Sequence, residues 1–294
     1  MRLIIRAFTI RQEAACRAIR RRVVQGHLMC GWTEIRAPRL ATVRRTPLRA
    51  TFIERPHRFA AWCVLRGRGD VAAHVPNPGR LTGVLAPRCQ VLLDGPYPAT
   101  RALPYTMVAA RVGGAGCESG PVWVGTNTIY ANKVFPALVS HGLFPELDGS
   151  TIRAEVVHGR SRFDFLVGGM MVEVKSVTLT RTGFTTCVRR QDLTARTGCE
   201  PALGVVGAFP DAVSARAARH CDELAALATS GRPTAIVFVA QRGDVGSVAP
   251  EDEVDPDFGV SLRAAAKAGV TVLACALEIT PNGAARARRV PVAL

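Results

Sequence analysis

Lysine is almost missing from this chain: Lys133, Lys175 and Lys267 stand against 35 arginines. A composition that supplies arginine wherever any cation will serve leaves each lysine to be explained by what arginine cannot do. A lysine is a compact point charge whose pKa falls on burial. Aromatic residues are scarce too, at 6%, and no glycine-rich phosphate loop occurs. Together these disfavour an RNA-stacking platform and a small-molecule or nucleotide module. No run approaches the roughly 20 apolar residues that span a bilayer, so no membrane anchor is expected. The nine cysteines (Cys16, Cys30, Cys63, Cys89, Cys117, Cys187, Cys199, Cys221 and Cys275) include no C-x2-C pair. That argues against a zinc ribbon, and an odd number without a secretory segment points to reduced thiols in the cytoplasm. Cys63, Cys221 and Cys275 lie in apolar contexts and read as small core residues.

What is present suits two folded domains. A length of 294 residues with 48% hydrophobic content is enough for two cores, at roughly 100–200 residues per domain. The net charge of +15 is uneven: residues 1–45 hold 11 arginines against Glu13 and Glu34, or +9, and the rest of the chain carries +6. A basic chain attracts polyanions, nucleic acid first. The Arg20-Arg21-Arg22 run makes residues 1–45 an Arg-rich, poorly ordered extension. It reads as a nucleic-acid arm, an organelle-targeting segment or sequence translated upstream of the true start.

Residues 46–124 contain short β-rich segments (RATFIE, RFAAWCVLRG, DVAAHV, CQVLLDG, YTMVAARV, PVWV) separated by turn signals such as Pro76-Asn77-Pro78-Gly79. Such a series fits a small OB-like barrel and is too short for a sandwich. Residues 125–294 read as αβββα followed by βαβ. In the helix AVSARAARHCDELAALAT, Asp211 is the expected N-cap and Gly231 the stop. Val213, Ala217, Cys221, Leu224, Leu227 and Ala228 are placed on its buried side, with Arg216, Arg219, His220 and Glu223 opposite.

The densest chemistry lies in Ser161 to Thr178, SRFDFLVGGMMVEVKSVT. Period-two alternation puts Phe163, Phe165 and Val167 on one face and Arg162, Asp164 and Leu166 on the other. Gly168-Gly169 signals a two-residue turn, and that register sets Asp164 opposite Glu173 and Arg162 opposite Lys175. Like charges directly opposed cost roughly 0.2–1 kcal/mol, so the pair calls for a divalent cation. The bland alternative is a solvated hairpin with two cross-strand ion pairs.

These segments resemble the sugar fermentation stimulation proteins, through RATFIERPHRFAAWCVL, HVPNPGRLTG, NTIYAN, SRFDFL, VEVKSVTL, FPDAVSARAARH and the chain end. The resemblance implies an α/β (α+β overall) protein: an N-terminal OB-like barrel and a C-terminal domain like restriction endonucleases of the PD-(D/E)xK type. It implies DNA binding and a link to sugar utilisation; the barrel, the Arg216 helix and the basic balance add the expectation that duplex DNA is bound with little sequence preference. The alternative function is a Mg²⁺-dependent DNA endonuclease. In that fold Asp164 and Glu173 would hold Mg²⁺, Glu155 would be a third candidate acid, and Lys175 would activate the attacking water. Arg162, Arg216 and His220, with Arg80 of the HVPNPGRLTG segment, would lie near DNA phosphates. The chain departs from the family pattern A-N-x-L-x-x-E-A at Ala137, where an acid is usual, and at Pro136, which would kink a helix. Pro78 stands in place of threonine and Ala217 in place of glycine. Residues 185–208 read as an excursion without family counterpart.

Overall fold

The structure is a computed structural model that describes residues 31–42, 46–113, 120–147, 149, 151–159, 161–181 and 205–294. The triple arginine run and most of the expected excursion lie outside the described residues. No helix among them is long and apolar enough to cross a membrane.

Five strands close a barrel: β2 (Leu48–His57), β3 (Ala60–Leu65), β4 (Gly69–His74), β5 (Gln90–Asp94) and β6 (Tyr105–Val112). The pairing runs β4-β3-β2-β5-β6, and a parallel contact of β4 with β6 completes the ring. Closure removes the free edges that an open five-stranded sheet would expose. Alternation decides the faces. Ala61, Cys63 and Leu65 of β3 turn into a core with Phe52, Val91, Leu93 and Met107, while Trp62 and Val64 face solvent.

From the barrel the sheet continues through β7 (Val122–Gly125), after a short β1 (Thr33–Glu34) outside the ring. The second half contains α1 (Ile129–Ser140), β8 (Ile152–His158), β9 (Ser161–Val167), β10 (Met170–Val177), β11 (Leu179–Arg181) and β12 (Val205–Phe209). It ends with α2 (Ala215–Thr229), β13 (Thr234–Ala240), β14 (Val245–Pro250), α3 (Pro256–Lys267), β15 (Thr271–Thr280) and β16 (Gly283–Arg289). The strand order β7-β15-β13-β10-β9-β8 puts β10 between a parallel neighbour, β13, and an antiparallel one, β9. One apolar core lies against α1 and another against α2 and α3. Strand β13 is buried along its whole length, as its unbroken apolar sequence TAIVFVA requires.

Three expectations are corrected here. Residues 31–42 are built into the fold: β1 pairs with β16, Ile35 and Leu40 are buried, and Tyr130 donates a 2.6 Å hydrogen bond to the Pro38 carbonyl. Residues 205–208, expected as part of an excursion, belong to β12, which pairs with β11 and β14. Pro136 lies in the interior of α1, where it was expected. Finally, α2 begins later than expected, with Ser214 as its N-cap, accepting from the Ala217 amide at 3.2 Å. Val213 therefore precedes the helix and is exposed, while His220, three residues after Ala217 and four before Leu224, is buried with Ala217, Cys221, Leu224 and Leu227. Gly231, with φ +82°, follows the last turn as expected.

Asp211, freed from capping, reaches the barrel instead. Its carboxylate accepts the Leu81 amide and lies within the fields of Arg55 and Arg80; burial holds its pKa above the usual range. A Cβ on Gly79 would come within 1.9 Å of an Asp211 oxygen, so glycine is what allows the barrel loop to sit against the second half of the chain.

Candidate metal centre

The hairpin that carries the site closes at Gly168 and Gly169, with φ of +54° and +91°. Two consecutive positive φ values are what a two-residue turn of this hand demands. The register that follows pairs Val167 with Met170, Leu166 with Met171 and Phe165 with Val172, as the turn predicts. There the ladder stops. In place of a backbone acceptor, Asp164 offers its side chain: Oδ2 accepts the Val174 amide at 2.8 Å and Oδ1 accepts Asn132 Nδ2 of α1 at 2.6 Å.

On the far side of the same irregularity, Glu155 of β8 holds φ +54°, and no pairing joins it to Asp164, although both flanking pairs form. Two expectations about faces fail as a result. Phe163 parts from Phe165 and Val167: it packs in the α2-side core with its ring 5.6 Å from His220, whereas Phe165 packs 4.7 Å from Phe135 of α1. Arg162 does not oppose Lys175; its strand partner is Val157.

Glu173 and Lys175 stand two residues apart on β10 and are both buried. Glu173 Oε1 accepts Lys175 Nζ at 2.8 Å and His220 Nδ1 at 2.6 Å. Oε2 is buried with no hydrogen-bond partner, an arrangement that costs about 1–3 kcal/mol unless something else meets the oxygen. The two carboxylates are pushed apart in acidity. Burial, then the charge of Glu173, pushes Asp164 up to about 6 against the Val174 amide, Lys175 and Asn132. Burial also works against the Glu173 charge, but the hydrogen bond from His220 and the neighbouring Lys175 outweigh it and hold that carboxyl below its usual range.

Asp164, Glu173 and Lys175 therefore converge, and the structure adds two residues to them. Asn132 was legible only as part of NTIYAN. His220 moves from the expected phosphate-contacting surface to the interior, where it holds Glu173. Glu155 does not join: it is exposed and its partner is Arg162, at 3.6 Å. No cluster of three or more His, Cys, Asp or Glu able to hold a metal occurs among the described residues. Arg216 is exposed in the first turn of α2, and Arg80 is exposed in the loop next to Asp211. A further polar contact, absent from the sequence reading, stands beside the site: Gln241 Nε2 donates to Ser176 Oγ at 2.7 Å and to the Asn127 carbonyl at 2.9 Å.

The donor set fits a hard divalent cation. Its free acceptor is a carboxylate oxygen, Glu173 Oε2, its neighbour Asp164 is a second carboxylate raised by burial and then by like charge, and no thiolate joins them among the described residues. Cys221, on the adjacent face of α2, is buried with its thiol pushed up to about 12, which keeps it protonated.

Comparison with known proteins agrees with this architecture. A family model described as the sugar fermentation stimulation protein RE domain matches residues 129–188 and 197–283. Another, the SfsA N-terminal OB domain, matches residues 53–125. The match resumes at residue 197, so the stretch without counterpart shrinks from 185–208 to 189–196. A sugar fermentation stimulation protein homolog of Symbiobacterium thermophilum is 36% identical over 84% of this chain and 95% of its own length. One from Pelobacter propionicus is 34% identical over 86% of this chain and 100% of its own. The solved structure of Pyrococcus furiosus SfsA in complex with Ca²⁺ shares the fold with a TM-score of 0.67, at 24% identity, covering 88% of this chain and 100% of that one. With both halves matched in order and relatives aligned along most of its length, the chain belongs to the sugar fermentation stimulation protein family.

Proposed function

We propose that this protein binds duplex DNA, with little sequence preference, through exposed arginines that include Arg80, Arg162 and Arg216, and that a divalent cation is held at the Asp164–Glu173 site. The observation that carries this reading is the buried, unpartnered Glu173 Oε2 beside a second, largely buried carboxylate, on a chain whose exposed cations are almost all arginine. A cation would be held by Asp164 and Glu173, while Asn132 and the Val174 amide orient the first and His220 the second. The P. furiosus relative was solved with Ca²⁺, a hard cation like Mg²⁺, and oxygen ligands suit both. Mg²⁺ is the finer reading for this chain. When bound, such an ion neutralises charge on a phosphodiester.

A second reading, DNA hydrolysis, is favoured by Lys175, whose buried ammonium lies against Glu173 where an attacking water would be oriented. Against it stands Ala137, at the position where the family places an acid.

The test uses purified full-length protein. Duplex binding should weaken linearly in log affinity against log salt. Mg²⁺ or Mn²⁺ should raise thermal stability, by about 2.7 kcal/mol at one hundred times the dissociation constant. Glu173→Gln should abolish that response and largely spare DNA binding, since phosphate contacts elsewhere carry affinity. Plasmid nicking that requires Mg²⁺ and disappears in Lys175→Met would establish the second reading. Absence of salt-sensitive binding would overturn the first.

A further inference from the structure

Helix α1 serves two places. Asn132 reaches Asp164, and the next residue, Lys133, lines a cavity of about 190 Å³ between the barrel, the segment at Leu40–Thr42 and the helix. The opposite wall carries Arg101, whose guanidinium lies 4.2 Å from the Tyr97 ring centroid and donates to His74 Nδ1 at 3.2 Å. Stacking and that hydrogen bond fix the guanidinium plane without neutralising it. Burial, then the charge of Arg101, holds the His74 pKa below the ordinary range, which keeps Nδ1 an acceptor. Asp94 also lines the cavity, but its Oδ2 is engaged by the Thr42 amide at 2.7 Å, the Thr42 hydroxyl at 2.9 Å and the Tyr97 hydroxyl at 2.7 Å. Among the described residues no carboxylate forms an ion pair with Arg101 or Lys133.

Two cations without acidic partners among the described residues therefore line one half-open cavity. Its volume is below the roughly 300 Å³ at which pockets begin to hold whole small molecules, so a compact oxyanion fits better than a nucleoside. A fixed guanidinium fork beside a flexible ammonium is the pairing that suits a doubly charged phosphate. The scarcity of lysine gains meaning here, since two of the three lysines stand at sites.

We propose that this cavity is a phosphate-binding site, in which Arg101 supplies a planar fork and Lys133 a point charge to a phosphate monoester group. The source is either free phosphate or the 5′-phosphate end of a nucleic-acid strand, and only the latter rests on the DNA-binding reading.

The experiment takes the full chain in phosphate-free buffer at constant ionic strength. Inorganic phosphate should raise the melting temperature saturably, without Mg²⁺ and equally in Glu173→Gln, which separates this site from the metal centre. Arg101→Met and Lys133→Met should each weaken the response about tenfold. In the second arm, a duplex with 5′-phosphate is compared with its 5′-hydroxyl counterpart. About tenfold tighter binding of the former, lost in Arg101→Met, assigns strand ends; equal binding alongside a saturable phosphate response assigns free phosphate. If neither duplex binds while the phosphate response persists, the DNA reading fails and the phosphate site stands. No saturable response in the wild type, or one unchanged in both variants, overturns the proposal.

Discussion

The barrel and the wall formed by β10 and α2 both bury polar groups, and they use them differently. In the barrel half, Asn77 turns its Oδ1 to the Gly79 amide at 2.8 Å, and Asp94 accepts the backbone and hydroxyl of Thr42. Each of these acceptors shapes a loop or holds a neighbouring segment, so its burial is accounted for by structure. Along β10 the partners are themselves ionisable: Lys175 and His220 converge on one oxygen of Glu173 and leave the other unmet. Full satisfaction marks the barrel as scaffold. Among the described residues every buried polar side-chain atom without a partner lies outside the barrel, and the Glu173 oxygen is the one that stands beside a second carboxylate.

The largest effect that tests this division lies in the scaffold. Leu93 is fully buried in the barrel core, and Leu93→Ala should cost about 2–5 kcal/mol of unfolding free energy through lost burial and the cavity left behind. Urea denaturation with and without Mg²⁺ checks it. The cost should be the same in both, and the Mg²⁺ response should persist in the variant. If the variant lost that response, scaffold and site would be one cooperative unit and the comparison would fail.

Next in size is the pH dependence of the metal-free protein. Asp164, raised from 3.8 to about 6, binds its proton more tightly folded than unfolded. Its contribution is therefore fully present below about pH 4 and is lost as pH rises through about 6. The loss is on the order of 3 kcal/mol. Glu173 has the opposite sign: held low, it supports the fold above its ordinary pKa and withdraws that support as pH falls. Asp164→Asn should remove the falling limb between about pH 4 and 6 and leave the acid limb. Stability curves that superimpose for both proteins would show that Asp164 is not buried as described.

How much of this could be read from sequence differs between the same two regions. The barrel strands follow from short β-rich segments set between strong turn residues, and β3 also alternates in burial residue by residue. At the site that rule is broken by function-bearing residues. The GG turn and its register were legible, whereas the loss of phase at Glu155 and Asp164 was not, because it arises when a carboxylate replaces a backbone acceptor and one residue adopts positive φ. For the same reason period two misassigned Phe163. The start of α2 was misplaced because Asp211 is as good a capping residue as Ser214, and only tertiary contact with the barrel loop shows that Asp211 is engaged elsewhere; His220, by contrast, stands at the i+3 spacing from Ala217 that belongs to the buried face, and its polar ring hid that. Strands β11, β12, β14 and β16 lacked a pattern distinct from their surroundings, and Arg286, Arg288 and Arg289 make β16 look like a solvated tail. In fact Arg289 reaches Glu146 at 2.7 Å and Arg288 donates to the Val245 carbonyl at 2.8 Å.

A smaller effect probes the seam between the regions. Gly79→Ala places a methyl group within 1.9 Å of the Asp211 carboxylate, and overpacking of this kind costs about 1–3 kcal/mol. Either the Asp211 carboxylate is displaced or the Pro76–Arg80 loop retreats, and both loosen the contact, so limited proteolysis should cut that loop faster in the variant than in the wild type. A variant as stable and as resistant as the wild type would mean that the loop does not rest on Asp211.

The smallest effect separates Glu155 from the carboxylates it was grouped with. Its ion pair with Arg162 is 3.6 Å long and both side chains are mostly exposed, a class of interaction worth about 0–1 kcal/mol. Glu155→Gln keeps the side-chain length at the same positive φ, so backbone strain is unchanged and only the charge is lost. Unfolding free energy should move by no more than about 0.5 kcal/mol, and the Mg²⁺ stabilisation should match the wild type. Arg162→Ala should likewise spare the metal response while lowering the slope of log affinity for DNA against log salt by about 1. A Glu155→Gln protein that no longer responded to Mg²⁺ would make Glu155 a third ligand, drawn in from the surface when the cation arrives, and the boundary drawn here between the buried pair and the exposed rim would have to move outward by one strand.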